Sequence, residues 1–129
     1  MTDQGPFYQR DRNWHPPAFT PHFRETKPDE TAGWRNMLVR LPAHGYAGTC
    51  AAIRDADLAE DASKISIPTL CVAGDQDGST PADVVRNTAG LIPGARFELI
   101  EGSGHIPCVE KPAALKQLIQ RHLQEAGLV

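Results

Sequence analysis

The stretch Thr69-Leu70-Cys71-Val72-Ala73-Gly74-Asp75-Gln76-Asp77 decides the fold of this chain. Thr69 to Ala73 form a short apolar run without helical period, the pattern of a β-strand buried on both faces. A glycine and two acidic residues follow at once, so the strand runs into a tight acidic loop. The same pattern recurs downstream. Arg96-Phe97-Glu98-Leu99-Ile100 reads as a second strand, and Gly102-Ser103-Gly104-His105 is the loop behind it. Between them, Thr80-Pro81-Ala82-Asp83 has the composition of a helix start, with Thr80 as cap, Pro81 in the first turn and Asp83 reaching back. Val84, Val85, Thr88, Leu91 and Ile92 are the expected inner face of that helix, and Pro93-Gly94 ends it. A strand–helix–strand unit of this length implies a parallel pair with a right-handed crossover.

Beyond the second loop a final helix is expected after Pro112, with Leu115, Leu118, Ile119 and Leu123 at core spacing. On the amino-terminal side, Asp55 to Lys64 is polar and reads as a connector. Tyr46, Cys50 and Ile53 recur at helical spacing in one short helix. Trp34, Met37, Leu38 and Leu41 form the stripe of another that ends at Pro42. Five prolines within residues 1–28 (Pro6, Pro16, Pro17, Pro21, Pro28) argue against regular structure there. The fold class is α/β. Two parallel strands with helices are marginal alone, so the pattern calls for neighbouring strands and leaves an open sheet edge.

At 129 residues one domain is the natural count. A formal net charge of −3, with scattered basic residues, creates no field that would attract nucleic acid or anionic membrane. Neither is expected as a partner. Three cysteines (Cys50, Cys71, Cys108) without Cys-x-x-Cys spacing suit neither a disulfide framework nor a zinc ribbon. The five histidines show no metal-ligand spacing, so no metal is expected. There is no apolar run of membrane-spanning length and no hydrophobic signal core, and a cytoplasmic location is the default.

Chemistry enters through the two loops. Loops behind adjacent parallel strands emerge at the same sheet edge, which would bring Asp77 and His105 together. A carboxylate that orients an imidazole, with the imidazole taking a proton from a hydroxyl or thiol, is the acid–base part of a nucleophile–base–acid triad. Asp75 is the competing acid. Asp77 is preferred because it lies farther along the loop, while Asp75 shapes the bend after Gly74. No Gly-x-Ser-x-Gly is present in the sequence. Gly48-Thr49-Cys50-Ala51-Ala52 has the shape of a nucleophile elbow, but no hydrophobic strand precedes it, so Cys50 is read as a small residue packing a helix. Cys71 reads as strand core, and Ser79, Ser103 and Cys108 lack the elbow context.

Several words of the sequence resemble a known family. Gly45-Tyr46-Ala47-Gly48-Thr49-Cys50-Ala51-Ala52-Ile53-Arg54-Asp55-Ala56-Asp57-Leu58 is similar to the cap segment of bacterial 3-oxoadipate enol-lactonases. Ile67-Pro68-Thr69-Leu70 through Thr80-Pro81, Ile92-Pro93-Gly94-Ala95 and Gly104-His105-Ile106-Pro107-Cys108-Val109-Glu110 resemble the end of the same family's α/β-hydrolase core. The resemblance implies a partial helical cap over residues 19–64 and the C-terminal part of the core over 65–129. Residues 1–18 match nothing in the family; they stay unassigned and are expected to be disordered, the mark of a mis-started beginning. It further implies Asp77 as triad acid and His105 as general base, serine attack on an enol-lactone, no cofactor, and a place in bacterial breakdown of aromatic compounds. The family's oxyanion-hole loop and serine elbow have no counterpart here. The expected partner is therefore a small lactone or ester, bound only once the amino-terminal core is supplied. The isolated chain is expected to be inactive and to self-associate through its open sheet edge. The alternatives are an inactive fragment or pseudo-enzyme that at most binds another chain, and part of an esterase or haloperoxidase-like hydrolase.

Overall fold

The computed structural model describes residues 18–129, and the expectation of disorder over most of residues 1–18 lies outside the described residues. Two compact units divide them. The first, over residues 22–57, is helical: most of α1 (Pro21–Thr26), all of α2 (Pro28–Leu38) and α3 (Ala43–Asp55). The second joins residues 18–21 to 58–129 and holds α4 (Ala59–Ala62), β1 (Leu70–Gly74), α5 (Ala82–Leu91), β2 (Arg96–Ile100), α6 (Pro107–Glu110) and α7 (Pro112–Glu125).

The first unit corrects two expectations. Helix α1 forms inside the proline-rich stretch, because a proline in the first helical turn gives up only an amide that has no partner there. Helix α2 stops at Leu38 and not at Pro42. Its last turn tightens, with Arg40 donating its N–H to the Met37 carbonyl and Leu41 to Leu38, since a residue before proline avoids helical geometry. Helix α3 matches the expected second helix, but Tyr46, Cys50 and Ile53 are exposed, Ile53 by 73%. The stripe has helical period, yet none of its three residues is buried.

In the second unit β1 and β2 pair in parallel, with Leu70 opposite Arg96 and Gly74 opposite Ile100. Alternation puts Cys71, Ala73, Phe97 and Leu99 on one face, and Leu70, Val72, Arg96, Glu98 and Ile100 on the other. Helix α5 lies on the first face, where the Arg86 guanidinium stacks 4.4 Å from the Phe97 ring centroid. Helix α7 lies on the second, where Arg121 binds Glu98 at 2.7 Å and Glu125 pairs with Arg96. Helices thus lie on both faces of the parallel pair, the layering of an α/β sheet.

The inner face of α5 differs from expectation. Ala89 and Ile92 are buried with Ala82 and Val85 partly covered, whereas Val84, Thr88 and Leu91 are exposed. Both sets have helical spacing, and the one rich in alanine allows the helix closer to the strands. On α7 Leu115, Leu118 and Leu123 are half-buried and Ile119 is exposed. The polar connector contains one further helical turn, α4, just before Lys64, which reaches Glu60 at 2.8 Å and Asp61 at 3.1 Å.

Candidate active site

The loop after β1 is shaped by its own acidic side chains. Asp77 accepts N–H bonds from Ser79 (2.8 Å) and Thr80 (3.0 Å) on Oδ1, an Asx-type turn that folds the loop around the carboxylate. Asp75 turns toward the neighbouring loop and accepts the Ser103 N–H at 3.2 Å, while its own N–H donates to the Ile100 carbonyl. Gln76 adds an N–H bond to the Ser103 carbonyl at 2.9 Å. These contacts fasten the two strand-end loops together.

The loop after β2 turns at Gly102, whose φ of +65° is the left-handed region that residues with a Cβ avoid. Helix α6, not expected from the sequence, follows directly. Its Glu110 carboxylate accepts the Gly104 N–H at 2.9 Å on one oxygen, and the Thr20 N–H (3.1 Å) and hydroxyl (2.6 Å) on the other. The His105 N–H donates to the Ala18 carbonyl at 2.8 Å. The histidine backbone is thus held from both sides.

The two loops bring Asp77 and His105 together. Nδ1 of His105 lies 2.8 Å from Oδ2 of Asp77, whose side chain is only 5% exposed, whereas the imidazole is 39% exposed. Thr80 is the third member of the contact. Its hydroxyl donates to Asp77 Oδ2 at 2.9 Å and stands 3.1 Å from His105 Nδ1. Burial pushes the Asp77 carboxyl up, but hydrogen bonds from His105, from the Thr80 and Ser79 N–H groups and from the Thr80 hydroxyl outweigh it. The carboxyl is held below its ordinary range. An ionised carboxylate has no proton to give, so Nδ1 carries the hydrogen of the Nδ1–Oδ2 bond, and in the neutral ring the lone pair then lies on Nε2. Among the described residues Nε2 has no hydrogen-bond partner.

Asp75 does not bond the ring. Ser103 is fully buried with its hydroxyl on the Gly104 carbonyl, and neither Ser79 nor Cys108 bonds His105. Cys50 lies inside α3, so the strand-to-helix turn of an elbow is absent around it. No cluster of three metal-ligating side chains occurs among the described residues, and no helix among them is long and apolar enough to cross a membrane. Two residues of the site were missed in the sequence. Thr80 was read as a helix cap, yet α5 has no side-chain cap; the Asp77-x-x-Thr80 spacing of the Asx turn was the available signal. Glu110 had no local signal, because its Thr20 partner is 90 residues away.

A parallel pair flanked by helices on both faces, with an acid and a histidine meeting across its strand-end loops, is an arrangement found in hydrolases of α/β fold. The sequence model of the α/β-hydrolase fold matches residues 5–112, and so takes in residues 5–18, which were expected to match nothing in the family. The chain belongs to this family. Among curated proteins this α/β-hydrolase chain is similar to 3-oxoadipate enol-lactonase 2 of Acinetobacter baylyi, 34% identical over 79% of the chain and 38% of the lactonase. It is also similar to a non-heme chloroperoxidase of Kitasatospora aureofaciens, 31% identical over 81% of the chain and 38% of that protein. Among solved structures, the enol-lactonase of Burkholderia xenovorans matches with a TM-score of 0.80 and 31% identity, over 84% of the chain and 42% of the lactonase. The chain therefore spans about two fifths of the length of these relatives.

Proposed function

We propose that this chain carries the proton-handling half of an α/β-hydrolase that opens an enol-lactone, with Asp77 as triad acid and His105 as general base. The attacking serine would come from a Gly-x-Ser-x-Gly elbow that this sequence does not contain. The observation that carries the reading is the 2.8 Å contact of His105 Nδ1 with Asp77 Oδ2 on adjacent strand-end loops, with Nε2 unengaged among the described residues. Nε2 takes the serine proton as the oxygen attacks the lactone carbonyl. The imidazolium stays on the Asp77 carboxylate and returns the proton to the departing enol oxygen. The same nitrogen then activates water to hydrolyse the acyl-enzyme. Every step is a proton transfer or an acyl transfer, so the reaction needs no cofactor.

The similarity to two enol-lactonases supports the lactone as substrate; a cytoplasmic role in the breakdown of aromatic compounds is part of the same proposal. A second reading, an esterase or haloperoxidase-like hydrolase, is favoured by the chloroperoxidase similarity and uses the same pair on another acyl group. Without the serine-bearing half, each strand keeps an outer edge unpaired among the described residues, through which chains would associate. The test is to assay the purified chain on the enol-lactone of 3-oxoadipate and on a p-nitrophenyl ester. No turnover above buffer is expected. Turnover that disappears in His105→Ala would overturn the need for an external serine, and its further loss in Cys50→Ala would make Cys50 the nucleophile.

A further inference from the structure

We propose that Thr80 is a positioning residue for the Asp77–His105 pair, its hydroxyl selecting the ring tautomer that leaves Nε2 free to accept a proton. The inference rests on the acid–base reading above and deepens it. A threonine hydroxyl has one hydrogen and two lone pairs, and Oγ1 of Thr80 is within reach of Oδ2 and of Nδ1 at once. Two arrangements are open to it. In the first, the hydroxyl hydrogen points at Oδ2 and a lone pair faces Nδ1–H, so the ring hydrogen is shared between two acceptors and every group is satisfied. In the second, the hydroxyl hydrogen points at a bare Nδ1. That nitrogen then faces the Oδ2 lone pairs at 2.8 Å with no hydrogen between them. The carboxylate cannot turn away to relieve the clash, because Oδ1 is already held by the Ser79 and Thr80 N–H groups.

The hydroxyl and the ring are therefore coupled. Donation by Thr80 to Asp77 favours hydrogen on Nδ1, and that is the form in which Nε2 serves as base. Thr80 touches neither the reacting atoms nor a cofactor; it acts through its two neighbours. Its N–H bond to Oδ1 is a separate contribution to loop shape that any residue at the position can make, so the hydroxyl can be removed without deleting that bond.

The test uses ¹⁵N-imidazole NMR of the whole chain at alkaline pH, where the ring is neutral and its two nitrogen shifts report the tautomer. Thr80→Val and Thr80→Ala lack the hydroxyl, and Thr80→Ser retains it. The unmutated chain and Thr80→Ser are expected to hold hydrogen on Nδ1. The hydroxyl-free variants should raise the minor Nε2–H form about fivefold, the equivalent of one ordinary hydrogen bond. Folded hydroxyl-free variants with an unchanged tautomer ratio would overturn the proposal. So would loss of folding in both of them while Thr80→Ser stays folded, since the role would then be structural. Hydrogen on Nε2 in the unmutated chain would overturn the acid–base reading itself, which separates that failure from failure of the Thr80 assignment.

Discussion

Gly74, the last residue of β1, lies directly against the carbonyl of Gly104: a Cβ on Gly74 would stand 2.3 Å from that oxygen and equally close to the Ser103 oxygen. The missing side chain lets the end of β1 approach the histidine loop, and the same approach lets Gln76 and Asp75 bond Ser103. The spacing that joins Asp77 to His105 is set there. Gly74→Ala is expected to displace the His105 loop and cost about 1–3 kcal/mol, the usual range for overpacking. A lower denaturation midpoint with shifted His105 ring resonances is the expected outcome. An unchanged midpoint and ring spectrum would show that the loop yields freely.

Glu110 holds the histidine loop from the opposite side. Its carboxylate collects the Gly104 N–H and both donors of Thr20, so Glu110→Ala leaves three donors without that partner. A loss of about 1–3 kcal/mol is expected, in line with removing an acceptor from partly buried donors. Amide hydrogen exchange localises the effect, with Gly104 and Thr20 exchanging faster while β1 amides change little.

Acid should weaken the site in a defined direction. The Asp77 carboxyl lies below its ordinary value of 3.8 in the folded chain, so the unfolded chain binds the proton more readily. Its contribution to stability is fully present above about pH 4–5 and is lost as pH falls through the lower folded value. In melting experiments the gap between the unmutated chain and Asp77→Asn should be largest from about pH 5 to 8 and shrink below about pH 4. A gap independent of pH would mean that Asp77 contributes by shape and not by charge.

The parts legible in the sequence were those encoded over short spans. An aperiodic apolar run followed by a glycine and acids announced β1 and its loop, and a connection long enough to hold a helix pointed to parallel pairing. Asp77 was favoured over Asp75 by reach along the loop, and it is the Asp77 carboxylate that lies 2.8 Å from the ring. The actual partner of Asp75, the Ser103 N–H, lies 28 residues away and left no trace in the local pattern. The α5 face was misread because Val84-Thr88-Leu91 and Ala82-Val85-Ala89-Ile92 satisfy one period equally well; only close packing on the strands chooses between them. The Tyr46-Cys50-Ile53 stripe shows the same gap between periodicity and burial. Thr80 was given the wrong task for a different reason: a threonine before proline suits a cap, and only the tertiary approach of His105 diverts its hydroxyl.

The central claim is that Asp77 and His105 serve a serine held on another segment. Its most direct measurement joins this chain to the part of the Acinetobacter baylyi enol-lactonase that it does not cover, as the proposed source of the serine, and follows hydrolysis of the enol-lactone. The expected result is turnover that falls about a thousandfold or more in His105→Ala and in Asp77→Asn, the scale on which triad members act, and that is insensitive to Asp75→Asn in a folded assembly. Hydrolysis that survives His105→Ala, or a folded assembly with no turnover at all, would contradict it.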